Sequence, residues 1–195
     1  MVRVKIFRED RLLDDFFQVD VAELKHETFD GQWSPLVRRF NLNRGEAVAI
    51  LIYVQDSDRL IMVRQFRYAV HVTEQNGWID EIVAGVVEGD NAVSCAYREC
   101  IEEAGYEIKD LQEIATIYSS PGITTERIHV FIGYCDQKDK KHAGGGVESE
   151  NEDIKLVELS REEAYNRLIN RRIKDGKTLL ALQHFFLKHP RLMPQ

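Results

Sequence analysis

Residues 85–106 read GVVEGDNAVSCAYRECIEEAGY, and the spacing within this stretch predicts an amphipathic helix. At about 100° per residue, its apolar side chains fall on one broad arc: Val93, Ala96, Tyr97, Cys100, Ile101 and Ala104. Glu99, Glu102 and Glu103 fall on the opposite arc. Asp90 or Asn91 suits the N-cap, and Gly105 suits the position after the last turn. One face of the helix should therefore pack against a core, and the other should be acidic.

The acidic face breaks a local electrostatic rule. Its three glutamates crowd the end of the helix where the dipole favours cations. One interpretation is a solvated face, steadied by the pair Arg98 and Glu102 at i,i+4. The other is that Glu99 and Glu103, also at i,i+4, hold Mg²⁺ or Mn²⁺, since both ions prefer carboxylate oxygens. The second interpretation is favoured, because a local rule broken without local compensation is typical of a functional site.

Composition and charge limit the class of protein. With 195 residues, 44% hydrophobic and 30% charged, the chain is expected to form one globular domain, alone or with a small appendage. It has no apolar run of the roughly 18 residues that a membrane span needs. Charged residues also occupy the N-terminal stretch where a signal peptide would be apolar. We therefore expect a cytoplasmic protein without a membrane partner.

Charge and cysteine content exclude further classes. A formal net charge of −7 argues against a nucleic-acid partner, which requires a concentrated basic face. The cysteines, Cys95, Cys100 and Cys135, are odd in number, so a disulfide framework is not expected. The histidines lack zinc-like spacing, and His129, inside a strand pattern, is interpreted as structural.

The hydrophobic pattern predicts strands in separated groups with helices between them. The predicted strands are residues 2–7, 15–24, 46–54, 59–66, 79–84, 126–134 and 154–159. Turn residues 56–58 make a hairpin of the third and fourth strands. Two further helices are predicted at 161–170 and 177–188. This order favours an α/β or α+β sandwich over a barrel.

The stretch 85–106 resembles the signature of the Nudix hydrolases. That signature has a glycine, five residues, a glutamate, seven residues, and then Arg-Glu, two residues, Glu-Glu, one residue and a glycine. Residues 98–105 match its second half position for position. The first half departs from it, because Gly85 to Arg98 is one residue short. Either Asn91 stands opposite the first signature glutamate, or Ala84 and Asp90 replace the glycine and that glutamate.

Other segments extend the resemblance to the nucleotide-sugar branch of the family. They are VRQFRYAV (63–70), EIVAG (81–85), SSPGITTER (119–127), HAGGGVESENEDI (142–154) and DGKT (175–178). The resemblance implies an α/β/α sandwich with a mixed sheet at 46–195, preceded by an antiparallel β region at 1–45 that forms a homodimer. The shortened loop, AGGGVE and DGKT look most like GDP-mannose hydrolases. ADP-ribose pyrophosphatases are the alternative.

The resemblance also implies roles for residues. Metal would be held by Glu99, Glu102, Glu103, Glu152 and the carbonyl of Ala84, and Arg98 would orient the carboxylates. The general base would be one acid of the loop 148–153, assigned to Glu150 with Glu148 as a fallback. A solvated acidic loop is the alternative interpretation of this segment. The proposed substrate contacts are Arg67, Arg64, Glu81 and Glu126. For the two arginines, ordinary surface charge is the alternative interpretation, and for Glu81 it is a structural ion pair.

Two rival classes are a Nudix-fold binding module without catalysis and an acidic protein that binds a basic partner. The intact set Arg98, Glu99, Glu102 and Glu103 favours an enzyme, because a binding module does not need carboxylates that repel one another. A basic partner would leave the second acidic cluster, residues 148–153, unexplained.

Overall fold

The computed structural model of the chain describes residues 2–89, 91–147 and 153–190. The chain divides into two units. The first unit is Met1–Gly45 with Tyr118–Arg127, and the second is Glu46–Ile117 with Ile128–Gln195. The first boundary between the units therefore lies after residue 45, and the segment Tyr118–Arg127 also belongs to the N-terminal unit.

The N-terminal unit is an antiparallel sheet of three strands, β1 (Val4–Asp14), β2 (Gln18–His26) and β3 (Val37–Asn43). The sequence predicted β1 in shortened form, placed β2 two to three residues too early, and missed β3. Segment Tyr118–Arg127 is bonded to the end of β3, where the N–H of Leu42 donates to the carbonyl of Ile123 at 2.8 Å.

In the part of the chain that the structure describes, the second unit contains a seven-stranded sheet and four α-helices. Its strands are β4 (Glu46–Val54), β5 (Arg59–Phe66), β6 (Trp78–Glu81), β7 (Val83–Val86), β8 (Asp110–Tyr118), β9 (Arg127–Cys135) and β10 (Lys155–Ser160). Its helices are α1 (Tyr68–Glu74), α2 (Ala92–Ala104), α3 (Arg161–Ile169) and α4 (Gly176–Lys188). The strand order is β10-β5-β4-β9-β8, with β6 paired to β5 and β7 to β4.

The apolar run of β4 explains the layers of this unit. Its alternate side chains enter two different cores, because successive residues of a strand point to opposite faces. Val48, Ile50 and Ile52 pack in one core with the apolar face of α2. Ala49 and Leu51 pack in the other core with α3 and α4. The sheet is therefore covered on both faces, which confirms the expected α/β/α sandwich.

Several elements confirm the sequence predictions, and others were missed. The hairpin of β4 and β5 forms, with Ile52 opposite Ile61. The two C-terminal helices and the strand β10 also form close to their predicted positions. The sequence missed α1 and β8. None of the α1 residues is buried, so no apolar stripe marked this helix.

The three cysteines lie in the interior of the protein. Cys95, Cys100 and Cys135 are all buried free thiols. Burial raises the pKa of Cys135 to about 12, so this thiol stays protonated near neutral pH. Among the described helices, none has the length and apolar content needed to cross a bilayer.

Both ends of α2 are capped as predicted. The side chain of Asn91 accepts a hydrogen bond from the N–H of Ser94 at 2.9 Å, so Asn91 is the N-cap. Gly105 follows the last turn with φ of +74°, a left-handed conformation that glycine adopts readily. Its N–H donates to the carbonyl of Ile101 at 2.9 Å.

The cap at Asn91 makes a testable prediction. Asn91→Ala should lower the free energy of unfolding by about 1 kcal/mol, because the N–H of Ser94 loses its acceptor. Asn91→Asp keeps an acceptor and should retain most of this stability. Urea denaturation of the three proteins measures the difference. Unchanged stability in Asn91→Ala, together with weaker Mn²⁺ binding, would contradict the capping role and favour a metal role for this position.

Candidate active site

Two of the three helix glutamates are buried rather than solvated. Glu99 and Glu103 are 8% and 1% exposed, whereas the Glu102 side chain is 31% exposed. Burying a carboxylate is unfavourable unless hydrogen bonds or opposite charge stabilise it. The structure therefore disagrees with the interpretation of a plain solvated face for Glu99 and Glu103.

Glu103 is joined to two strands. Its Oε1 accepts a hydrogen bond from Nε2 of Gln65 on β5 at 3.0 Å. Its Oε2 accepts one from the backbone N–H of Ala84 on β7 at 3.1 Å. These bonds place the Glu103 carboxylate beside the backbone of the residue whose carbonyl was predicted to bind metal. Gln65 was not among the predicted site residues, although it lies between Arg64 and Arg67 in the segment 63–70.

Glu99 lies against the next residue of the same strand. A Cβ atom on Gly85 would collide with the Glu99 carboxylate, so only glycine allows this approach. Gly85 has no positive φ, and its absent side chain is therefore the reason for glycine here. Glu99 and Glu103 consequently meet consecutive residues of β7, Gly85 and Ala84.

Arg98 contacts both neighbouring carboxylates of the helix. Its Nη2 lies 2.9 Å from Oε1 of Glu99, and its Nη1 lies 2.8 Å from Oε2 of Glu102. Burial lowers the pKa of Arg98, but attraction to Glu99 and Glu102 outweighs it, so the net shift is upward. This geometry fits the orienting role that the family resemblance implies for Arg98.

A glycine segment relieves the unfavourable dipole at the end of α2. The N–H of Gly145 donates to the carbonyl of Glu103 at 2.9 Å, and the N–H of Gly146 donates to that of Glu102 at 3.2 Å. Gly144 has φ of +71°, and a Cβ there would collide with the backbone of Glu103. The carbonyls that carry the negative end of the dipole thus have donors from a distant segment.

A second charged cluster lies at the end of β5. Nε and Nη2 of Arg67 lie 2.9 and 3.1 Å from the two carboxylate oxygens of Glu81. Nζ of Lys177, in the first turn of α4, lies 2.6 Å from Oε2 of Glu81. Burial raises the pKa of Glu81, but Arg67 and Lys177 outweigh it and hold this pKa below its usual range. Glu81 is therefore ionised and shared by two cations.

Lys177 was missed as an individual residue. Its signal was the DGKT segment at 175–178, which marked the family resemblance but gave this lysine no role. Sequence separation hid the pairing, because 96 residues separate Lys177 from Glu81.

Two further predicted substrate contacts have partners of their own. Arg64 makes a bidentate pair with Asp80 at 2.6 and 2.9 Å, and Arg167 of α3 adds a third contact to Asp80 at 2.8 Å. Glu126 belongs to the N-terminal unit, where its Oε1 lies 3.6 Å from Nε of Arg44. Their substrate roles stay predictions.

Three predicted acids lie outside the described residues. They are Glu148, Glu150 and Glu152, and Asp90 is also outside. His129 agrees with its structural interpretation, since its ring nitrogens lie 3.2 Å from Glu46 and 3.3 Å from Glu113.

Comparison with known proteins identifies the family. The NUDIX domain matches residues 43–181, so the chain belongs to the NUDIX domain family. It is 36% identical over 193 residues to an ADP-ribose pyrophosphatase of Haemophilus influenzae, covering 97% of this chain and 88% of the relative. It is 32% identical over 190 residues to a GDP-mannose pyrophosphatase of Shigella flexneri serotype 5b, covering 96% and 97%.

A solved structure confirms the architecture. The crystal structure of an ADP compounds hydrolase matches with a TM-score of 0.69 over 97% of both chains, at 19% identity. At that identity, the likeness supports the fold alone.

Nudix hydrolases generally use divalent metal ions, and the donors at β7 fit such an ion. Glu99 and Glu103 offer carboxylate oxygens beside the backbone of Ala84, and hard oxygen donors suit Mg²⁺ or Mn²⁺. Within residues 2–89, 91–147 and 153–190, no three acidic, histidine or cysteine side chains converge as a metal site. The described donors are therefore the two carboxylates and the main chain, with Glu102 turned toward Arg98.

The contact at Gly85 makes a testable prediction. Gly85→Ala should weaken Mn²⁺ binding by about 10- to 100-fold, because the new methyl group displaces the Glu99 carboxylate. Electron paramagnetic resonance of free Mn²⁺ measures the affinity. Gly122→Ala is the matched control, since a Cβ at Gly122 meets nothing within 4 Å. Equal affinity in Gly85→Ala and wild type would exclude Glu99 from the metal site.

Proposed function

We propose that this protein is a metal-dependent hydrolase that cleaves the pyrophosphate bond of nucleotide sugars. The observation that carries the proposal is the burial of Glu99 and Glu103 against Gly85 and Ala84, with Arg98 beside them. A solvated acidic face does not require this burial. The relatives named as ADP-ribose and GDP-mannose pyrophosphatases support the same class of substrate.

GDP-mannose is the substrate we propose, with GMP and mannose 1-phosphate as products. The segments AGGGVE and DGKT and the shortened loop before α2, which resemble GDP-mannose hydrolases, support it. ADP-ribose, which would give AMP and ribose 5-phosphate, is the second candidate. The higher identity to the ADP-ribose pyrophosphatase, 36% against 32%, favours that alternative.

The residues around β7 would bind the metal. We assign Glu99, Glu103 and the carbonyl of Ala84 as ligands of Mg²⁺, or of Mn²⁺, with Glu102 and Glu152 as further ligands. When bound, the ion neutralises charge on the phosphoryl oxygens. Arg98 orients Glu99 and Glu102 through its contacts of 2.9 and 2.8 Å.

Other side chains would bind the diphosphate and activate water. Arg67 keeps 43% of its side chain exposed while Glu81 fixes its guanidinium, which suits it to a diphosphate oxygen. We propose Arg64, Glu81 and Glu126 as further contacts around the substrate. The reaction consumes one water, whose oxygen bonds to phosphorus as the bridging oxygen leaves. We assign Glu150 as the base that accepts the proton of this water, with Glu148 as the fallback.

The N-terminal unit supports a homodimer. Large apolar side chains are exposed on it: Val4, Ile6, Phe7, Leu12, Leu13, Phe16, Phe29 and Phe40. Exposed apolar groups in this number are typical of a surface that a protein partner covers. We propose that a second copy covers them. We also propose a cytoplasmic location, because free thiols are typical of a reducing compartment.

Turnover of a substrate panel tests the proposed function. With Mg²⁺, the wild type should hydrolyse GDP-mannose faster than ADP-ribose, other nucleotide sugars or dinucleoside polyphosphates. Glu103→Gln should lower kcat by at least about 100-fold, because it removes the charge of a proposed metal ligand. Release of phosphate-containing products, with and without chelator, is the measurement.

Two outcomes of this experiment would contradict parts of the proposal. Preference for ADP-ribose would replace GDP-mannose as the substrate. Substrate binding without turnover would indicate a binding module instead of an enzyme. Comparison of Glu150→Gln with Glu148→Gln identifies the base, because only loss of the base removes the alkaline rise of kcat with pH.

The homodimer is tested by light scattering after size exclusion. Wild type should have twice the mass of one chain, and Phe7→Asp should shift it toward the monomer, because a charge would be buried in the interface. Leu187→Asp is the control, since Leu187 is 74% exposed on the other unit. A monomeric wild type would overturn the dimer.

A further inference from the structure

The first turn of α4, with its N-cap Asp175, forms a closed ring of hydrogen bonds with the last residue of β6 and the residue after it. Oδ2 of Asp175 accepts from the Thr178 hydroxyl at 2.6 Å, and Oγ1 of Thr178 accepts from the N–H of Ile82 at 2.9 Å. Oδ1 of Asp175 accepts from Lys177 at 2.9 Å, and Lys177 donates to Glu81 at 2.6 Å. Because Glu81 and Ile82 are consecutive, these bonds close what we term the Asp175 ring.

The Asp175 ring is largely shielded from water. Thr178 and Ile82 are fully buried, and Glu81 is 3% exposed. The side chains of Lys177 and Asp175 are 13% and 17% exposed. Hydrogen bonds to charged groups are strong in such surroundings, so the ring should hold its members in one arrangement.

The ring distinguishes the roles of the two cations that share Glu81. Lys177 lies between the carboxylates of Asp175 and Glu81, so its charge is compensated within the ring. Arg67 faces Glu81 from outside the ring with 43% of its side chain exposed. The cation presented to a ligand is therefore Arg67.

Glu81 connects the ring to Arg67. Its Oε2 accepts from Lys177 at 2.6 Å and from Nη2 of Arg67 at 3.1 Å, while its Oε1 accepts from Nε of Arg67 at 2.9 Å. A glutamate side chain has several rotatable bonds and would otherwise sample other rotamers. The Lys177 bond selects the rotamer in which both oxygens face the Arg67 guanidinium.

We propose that Lys177 is a positioning residue that fixes Glu81 and, through it, the guanidinium of Arg67. This inference rests on the proposed function, because it assigns Arg67 to the diphosphate of a nucleotide sugar. Lys177 acts on substrate binding through Glu81, and the ring also holds Ile82, two residues before Ala84.

Steady-state kinetics of Lys177→Met test the proposal with the nucleotide sugar that the wild type cleaves. KM should rise at least tenfold and kcat should change less than threefold, because the ground-state contact of Arg67 is loosened. Lys177→Arg retains a cation and should recover most of the loss in KM. Lys174→Met is the matched control, since Lys174 pairs with Glu74 at the surface, with side chains 57% and 42% exposed. It should leave KM within twofold of wild type.

A double-mutant cycle with Glu81→Gln separates positioning from an independent effect. If Lys177 acts through Glu81, adding Glu81→Gln to Lys177→Met should raise KM less than threefold further, although Glu81→Gln alone raises it about as much as Lys177→Met. Multiplicative effects of the two substitutions would overturn the proposal. So would a KM for Lys177→Met that equals the KM of Lys174→Met.

Thr178→Val tests the role of the Asp175 ring independently, in case Lys177→Met does not fold. It removes the hydroxyl from the opposite side of the ring and should raise KM in the same direction. An unchanged KM in a folded Thr178→Val protein would overturn the role of the ring.

The same measurements distinguish this inference from the proposed function. An active wild type with an unaffected Lys177→Met contradicts the inference alone. If the wild type binds GDP-mannose or ADP-ribose in calorimetry but does not cleave it, the proposed hydrolysis is contradicted. The inference then predicts that Lys177→Met binds the same compound more weakly than the wild type, and equal affinity overturns it. A wild type that neither binds nor cleaves these two compounds overturns both.

Discussion

The hydrogen bond from the backbone of Ala84 to the Glu103 carboxylate determines how the candidate site is assembled. It fixes the position of α2 along β7, so that the Glu99 carboxylate contacts Gly85, the next residue of the strand. Gln65 supplies the second donor to Glu103 from the neighbouring strand β5. A carboxylate that is 1% exposed is unfavourable without such donors. A divalent cation in this position would stabilise the helix as well as serve the reaction.

Three carboxylates at the negative end of α2 are electrostatically unfavourable, and more than one contact offsets this cost. Arg98 balances Glu99 and Glu102 from the helix itself. The N–H groups of Gly145 and Gly146 bond to the terminal carbonyls and so reduce the dipole that the carboxylates face. The helix end thus depends on a segment about forty residues downstream, which no local pattern in the helix could indicate.

Local chemistry explains what could be predicted from the sequence. The limits of α2 followed from Asn91 and Gly105, since caps act within one turn, and the β4–β5 hairpin followed from two apolar runs around a turn. The helix α1 could not be predicted, because it buries none of its residues and so lacks an apolar stripe. Partners far apart in sequence were also hidden. Arg64, Arg67 and Glu81 were found as charges, but their pairing with Asp80 and Lys177 depends on the register of β6 and the start of α4.

The strand β4 limits which substitutions this protein can tolerate. Both of its faces are apolar, so hydrophobicity alone does not distinguish the correct register from one shifted by a residue. The distinction must come from side-chain shape, because Ile50 and Ile52 fit beneath α2 whereas Leu51 fits beneath α3 and α4. Substitutions at alternate positions of β4 therefore alter the side-chain packing on opposite faces of the sheet. Changes at Ile50 or Ile52 are transmitted to the helix that carries Glu99 and Glu103, while changes at Leu51 are transmitted to the helix that carries Lys177.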